Sequence, residues 1–382
     1  IEEYNGVVIG PALRLYRASG YAPALELAEG LARFALKHSS ALLPGGGFRR
    51  LGPGRPEIAH FHTHTAFALG VLALGIALSR REYIAWARQT YEHARTWGTE
   101  SGWVPEGLGL RHGELCCTTD MIELALLLGR HVDRRYYADA ERYGRNHLLE
   151  SQLTSLEALQ DALERLPPDA SPAPHEGRYS TQERVAERQR GAFASRATLN
   201  DALHLDAPAM MQCCNAAGTR ALYDLWRYAV EEEDGEPTRL WVHLRFSVET
   251  PALRVVSHEP VHGRLDITAR RACALRVRLP EGERQAWAIR GESVVELDAR
   301  EGYAELPLGA GETATLHYPL PERSAHYEVG DPGRTAVAIG YWRGETLMRV
   351  EPAGAYLPLY QGREGLPPVQ PDLPAQPLIE SL

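Results

Sequence analysis

The sequence predicts a helical domain, a bundle or toroid, followed by an antiparallel β-sandwich. Three observations predict it. The chain has 382 residues, and at roughly 100–200 residues per domain that length favours two domains, each able to bury a core. In the first part of the chain apolar residues recur at three- and four-residue spacing, the helical period. From Leu240 onward the period is two, in short segments separated by turns, as in half-buried strands. The expected domains are therefore residues 1–235, helical, and 236–365, a β-sandwich, with 366–382 an extended proline-rich tail.

In the segment Tyr21–Lys37, Ala24, Leu27, Ala28, Leu31, Phe34 and Ala35 form one apolar face. His64–Leu78, Arg81–Trp97, Thr118–Val132 and Arg135–Leu149 repeat the pattern, and the connections carry Gly and Pro, as helix stops should. Successive helices with no strand between them suggest antiparallel pairs. Gln152–Leu166 reads as one more helix. Pro167, Pro168, Pro172 and Pro174 then open a long charged excursion through Arg190. Long excursions in compact domains are usually functional or mobile, and this one is expected to cover a pocket. A helix resumes over Ala217–Val230, and the domain boundary falls at Glu231–Pro237.

A net charge of −9, with 44% hydrophobic and 24% charged residues, describes an ordinary globular protein. The charge argues against nucleic acid or an anionic membrane as partner. No apolar run reaches the ~18 residues of a spanning helix. All basic residues but Lys37 are arginine, a bias that carries no functional reading. No Gly-rich nucleotide loop is present. The sequence starts at Ile1 rather than Met and carries no information on targeting.

The five cysteines are two adjacent pairs, Cys116-Cys117 and Cys213-Cys214, and the single Cys273. Neighbouring cysteines rarely bridge each other, so a disulfide framework is not the natural reading. Each pair is expected just before a helix, where free N–H groups favour a thiolate. With Glu114, three or four such cysteines could close tetrahedrally around Zn²⁺. The alternative is that they are buried small hydrophobes, which is how Cys273, in a strand, is read. His60, His62 and His64 alternate at the mouth of a helix. They fit metal ligands, the lining of a sugar pocket, or a plain polar loop. Glu106, in Trp103-Val104-Pro105-Glu106-Gly107, is expected beside an aromatic surface. Burial there would raise its carboxyl pKa, as a general acid needs. A surface glutamate in a turn is the competing reading.

Taken together and in order, these residues resemble glycoside hydrolase family 127, the β-L-arabinofuranosidases, and its relatives. Asn5–Leu36 resembles a barrel helix pair of that family. His62-Thr63-His64-Thr65 resembles its His-Ala-Asn-Thr motif, and Trp103–Gly107 the segment with the acid/base glutamate. Glu114-Leu115-Cys116 resembles Glu-Thr-Cys. Tyr137-Ala138-Asp139, Glu141-Arg142 and Asn146 match the next helix pair. Cys213-Cys214 followed by Arg220 resembles the Cys-Cys motif. Ala274–Pro280, Arg290-Gly291, Gly302-Tyr303 and Gly311-Glu312 match the β-domain pattern.

The resemblance implies an (α/α)₆ toroid followed by β-sandwich domains. The chain holds fewer helices than that toroid needs, so it is expected either to lack the N-terminal part of the barrel or to form a reduced one. The resemblance also implies a zinc site of Glu114, Cys116, Cys213 and Cys214, with Cys117 the rival for the first cysteine position. Cys213 would be the nucleophile and Glu106 the general acid/base of a retaining glycoside hydrolase. His62 and His64 would bind the furanose, and Trp103 would stack on it. The expected partner is a carbohydrate, with a homo-oligomer left open, and thiolate ligation favours the reducing cytoplasm. Two alternatives remain. One is a non-catalytic, zinc-containing carbohydrate-binding protein. The other is a metal-free hydrolase or lyase that pairs Glu106 with a carboxylate such as Asp120.

Overall fold

The structure is a computed structural model and describes residues 6–43, 45–47, 60–107, 109–167, 183–203, 210–330 and 335–366. Helices lead and sheets follow. The chain divides into two compact units. The first comprises Ile1–Leu225, Ser324–Tyr341 and Leu347–Gln361; the second comprises Trp226–Arg323, Trp342–Thr346 and Gly362–Leu382.

In the first unit, helices α1 (Ile9–Ser19) and α2 (Ala22–His38) are joined through Gly20, whose φ of 72° closes α1 in the left-handed region. The face that α2 buries is narrower than its apolar pattern predicts. Ala24, Ala28, Ala32 and Ala35 are inside, while Leu27 and Phe34 are 50% and 54% exposed. Alanine buries little area, and it lets two helices approach closely.

α3 (Phe61–Ala77) packs against α1, α4 (Arg81–Arg95) and α5 (Leu115–His131). Both α3 and α5 are buried around most of their circumference, so they are the core of the unit rather than amphipathic surface helices. α6 (Tyr137–Tyr143) runs into a π-helical turn at Gly144–Leu148. α7 (Leu156–Arg165) starts where the Ser155 hydroxyl accepts the Ala158 N–H at 3.1 Å, as an N-cap should. α8 (Val185–Gln189) forms inside the charged stretch that the sequence reads as irregular. Residues 168–182, the rest of that excursion, lie outside the described residues, as do residues 367–382 of the proline-rich tail.

α9 (Gln212–Ala229) begins five residues earlier than its apolar pattern predicts, and α5 begins three earlier. Both cysteine pairs therefore sit inside a first helical turn rather than ahead of it. The periodicity locates repeated apolar residues, and the opening turns of these helices are built mainly from sulfur and polar residues instead.

After α9 come thirteen strands among the described residues. β1 (Val230–Glu233), β2 (Thr238–Val242), β6 (Cys273–Arg278) and β9 (Tyr303–Leu308) form one sheet in the order β1-β2-β6-β9. β2 and β6 run parallel, which corrects the purely antiparallel expectation. The long stretch between them permits it, since a parallel pair needs a crossover and not a hairpin. A second sheet has the order β3-β4-β5-β10-β7-β8. Its strands are β3 (Val248–Glu249), β4 (Leu253–Ser257), β5 (Arg264–Ala269), β7 (Gln285–Arg290), β8 (Ser293–Asp298) and β10 (Thr313–His317). β11 (Glu322–Val329), β12 (Ala336–Arg343) and β13 (Thr346–Glu351) make a third. Along β5, Leu265, Ile267 and Ala269 are buried while Arg264, Asp266 and Thr268 are not, the alternation of a sheet with one covered face. Cys273 is buried at the head of β6. Among the described residues no helix is long and apolar enough to cross a membrane.

The second unit encloses a charged network. Arg245 is fully buried, donating from Nε to Glu259 at 2.8 Å and from Nη2 to Glu345. Arg278 donates to Glu345 at 3.1 Å and to the His243 carbonyl at 2.7 Å. Tyr318 donates its hydroxyl proton to Glu259 at 2.6 Å. Buried charges are tolerated when partnered, and removing one partner strands the other. Glu345→Ala should therefore cost about 3–5 kcal/mol, seen as a lowered urea midpoint. A loss under about 1 kcal/mol would place the network at a wet surface instead.

Candidate metal and active site

Three extended segments of the first unit build the site. Residues 104–106 run beside residues 112–114. Glu106 N–H donates to the His112 carbonyl at 3.2 Å, and Glu114 N–H to the Val104 carbonyl at 3.1 Å. Residues 195–197 join on the other side. Gly113 N–H donates to the Ala197 carbonyl at 2.8 Å and Leu115 N–H to the Ser195 carbonyl at 2.9 Å. Phe61 N–H, the first of α3, donates to the Glu106 carbonyl at 2.6 Å. The segment bends at Gly102, where φ is 91° and an added Cβ would lie 2.8 Å from Tyr143 Cα, so only glycine fits.

Glu114 ends its segment as the N-cap residue of α5, and Cys116 follows in the first turn. Cys213 and Cys214 occupy the first turn of α9. The two first turns meet. Cys116 Sγ lies 3.4 Å from Cys214 Sγ, and Cys214 Sγ lies 4.0 Å from both Cys213 Sγ and a Glu114 oxygen. One donor atom from each of Glu114, Cys116, Cys213 and Cys214 lies within 4.8 Å of the other three. Cys213 is exposed and the other three are buried. Cys117 is buried and stands outside the cluster. Three sulfurs and one carboxylate within ligating reach are a donor set that suits a thiophilic divalent ion.

The thiols respond to one another. The Cys116 thiol hydrogen-bonds to Cys214, and with the Ser195 hydroxyl draws Cys214 down to about 7 against its burial. The same contact and burial push Cys116 up, and burial pushes Cys213 and Cys117 up.

Glu106 accepts from His112 Nε2 at 2.8 Å and is ion-paired with Arg196. Burial pushes its carboxyl up, yet the His112 hydrogen bond and the Arg196 guanidinium outweigh it and hold the pKa below its ordinary value. That reverses the direction expected from the sequence. The expectation took account of burial beside Trp103 and Pro105, while His112 and Arg196 come from segments that carry no sequence signal. Glu106 also lies within reach of His60 and Glu114.

His60, the residue before α3, has Nε2 2.5 Å from Glu114 Oε2. His62 Nδ1 lies 2.6 Å from Asp120 Oδ2, which also accepts the Thr65 hydroxyl at 2.8 Å. Burial opposes its protonation, but the Asp120 carboxylate prevails and lifts the His62 pKa to about 9. His64 points inside, at 4% exposure. Trp103 is 1% exposed and its indole N–H donates to the Ala197 carbonyl at 2.9 Å. As placed, it braces the three-segment strap and offers no open face to a sugar. Asp120 is fully buried and paired with His62 and Arg220. The structure thus brings together Glu106, Glu114, Cys116, Cys213, Cys214 and His62, while the side chains of His64 and Trp103 are buried. His112 and Arg196 were not legible as site residues. His60 was visible only as one of an alternating trio.

This arrangement defines a fold class: a helical unit in which two cysteine-bearing helix starts meet a glutamate, followed by a β-rich unit. The chain has the fold of the glycoside hydrolase family 127 β-L-arabinofuranosidases. It is similar to the crystal structure of such an enzyme from Geobacillus stearothermophilus T6, with TM-score 0.55 and 15% identity over 88% of this chain and 57% of that one. A second similar structure is named as a glycoside hydrolase (TM-score 0.58, 15% identity, 88% of this chain and 59% of that one). A third is a family 127 β-arabinofuranosidase (TM-score 0.58, 13% identity, 88% and 54%). The chain spans somewhat over half the length of these structures. No protein-family model and no curated protein matches the sequence.

The ionised form of Glu106 is stabilised by folding. A depressed pKa contributes stability above the ordinary value of 4.5 and loses it as pH falls through the folded value. Glu106→Gln should therefore flatten the dependence of the unfolding midpoint on pH in the acid range, measured by thermal melts from pH ~3 to ~7. Parallel profiles for the two proteins would mean that Glu106 is not held this way.

Proposed function

We propose that the protein is a zinc-dependent retaining glycoside hydrolase with a cysteine nucleophile, acting on β-L-arabinofuranosides or related furanosides. One observation carries the reading: the donor cluster of Glu114, Cys116, Cys213 and Cys214 exposes a single thiol, Cys213, and its glutamate, Glu114, has a carboxylate oxygen within 4.8 Å of one of Glu106. The fold shared with family 127 supports it.

Glu114, Cys116, Cys213 and Cys214 would hold the zinc, which when bound supplies positive charge that keeps a thiol ionised at neutral pH. Cys213 Sγ attacks the anomeric carbon while Glu106 protonates the departing oxygen. Glu106, now ionised, takes a proton from water, which displaces the sulfur and regenerates the thiolate. Two inversions give net retention, with a thiolate where most retaining enzymes use a second carboxylate. Before substrate binds, His112 and Arg196 keep Glu106 ionised. A sugar that strips water from the carboxyl strengthens the upward pull of burial and loads the proton. His62, fixed by Asp120, would meet furanose hydroxyls.

Purified protein should carry about one zinc per chain. Cys213→Ser should abolish hydrolysis of an aryl β-L-arabinofuranoside while the protein stays folded. Glu106→Gln should lower kcat ~10²–10⁴-fold without releasing metal. Full activity in Cys213→Ala, or in zinc-free protein, would end this reading.

A second reading is favoured by the Arg196–Glu106 ion pair, which ties up the proposed acid. It is a non-catalytic, zinc-containing carbohydrate-binding protein. Equal background rates for wild type and Glu106→Gln across a broad glycoside panel would support it.

A further inference from the structure

The second unit carries a feature unconnected with the cysteine cluster. In the six-stranded sheet, Arg264 of β5 pairs with His317 of β10, and His317 pairs with Trp287 of β7. Cross-strand partners project to the same face. The alternate residues Leu265, Leu316, Ala286 and Ala288 are buried, so the row Arg264–His317–Trp287 projects outward. At about 4.8 Å per strand it spans about 10 Å. Trp287 is 36% exposed. The row lines a depression of about 560 Å³ that His262 and Arg343 also line, within the size range of small-molecule sites.

The polar groups of this depression are held in place. Asp266 accepts both Nε and Nη2 of Arg264, at 2.9 and 2.8 Å, and also the Thr315 hydroxyl at 2.8 Å. His258 Nε2 lies 2.8 Å from the same carboxylate. Arg343 donates to Glu322 at 3.1 Å. Both guanidiniums keep further N–H donors, but a carboxylate offsets the charge of each. An anion would have to compete with Asp266 and Glu322, in a chain of net charge −9. A neutral ligand faces no such competition. One half-exposed indole beside planar hydrogen-bonding groups suits a ring with an apolar face and a hydroxylated edge.

We propose that this outward face of β5, β10 and β7 binds a neutral polysaccharide chain, one sugar ring stacking on Trp287 and its hydroxyls reaching His317 and Arg264. The site is separate from the proposed catalytic centre and does not depend on that reading.

Native affinity electrophoresis of the full chain tests it, with soluble arabinan, a neutral β-glucan and polygalacturonate in the gel. A neutral polysaccharide should retard the wild type, and Trp287→Ala should weaken the retardation about 10-fold, the loss of one stacked ring. Arg264→Ala should weaken it too, which keeps the test open should Trp287→Ala fail to fold. Cys213→Ser should be retarded like wild type. The proposal falls if both surface variants bind as wild type does, or if no neutral polysaccharide retards the protein. It also falls if polygalacturonate alone does, or if Cys213→Ser abolishes retardation. A wild-type dimer in sedimentation that Trp287→Ala dissociates would overturn it as well, making the face a self-association surface.

Discussion

Crowded negative charge is the constraint on which the first unit's chemistry depends. Three sulfur atoms and the Glu114 carboxylate share one place, mostly out of water. Burial disfavours every ionised form, and each thiolate disfavours the next. Cys214 is drawn down, while Cys116 and Cys213 are pushed up. A cation among the donors would offset that mutual repulsion. The proposed nucleophile, Cys213, is the one thiol of the set that reaches solvent, so its ionisation is the point at which a bound cation would change reactivity most.

Main-chain pairing, not side-chain attraction, brings these repelling groups together. The 104–106, 112–114 and 195–197 segments bond through their backbones, and Leu115 and Phe61 tie the strap to the starts of α5 and α3. Met211 N–H donates to the Ser195 hydroxyl at 2.6 Å and brings the start of α9 to the same strap. The helix starts are thus fixed by amide groups that must be satisfied in any buried segment. The Trp103 indole, inside and bonded to Ala197, serves the same end.

Much of this was legible in sequence because it repeats or is rare. The apolar periods located α2 and α4 closely and the bodies of α3 and α5, and the switch at Leu240 marked the strands. The cysteine pairs and Glu114 stood out because adjacent cysteines are uncommon, and the structure brings both pairs' helices together. Three kinds of feature were not legible. α5 and α9 begin in turns without apolar spacing, so their starts were set too late. Leu27 and Phe34 belong by pattern to a buried face, yet the close packing that α2 makes is through alanines. His112 and Arg196 govern Glu106 across backbone pairings of segments remote in sequence, which a single sequence does not report. The parallel β2–β6 pair is likewise a property of topology, not of either strand's alternation.

The neighbours of each carboxylate separate their roles. Asp120 is paired with Arg220 and with an imidazole lifted to about 9 by that same carboxylate, so its charge is spent internally. It positions His62 and is out of solvent's reach, which argues against its serving as the second carboxylate of a metal-free mechanism. Glu106 is paired with Arg196 and also with His112. Glu114 is different. Among the described residues its ion-pair partner is His60, charged only when protonated, and its other close neighbours are sulfur atoms. Of the three carboxylates it alone lacks a permanent cation and faces the thiols. Under the proposed function, these pairings fit Glu114 to a ligand's part, Glu106 to a proton carrier's and Asp120 to the positioning of His62.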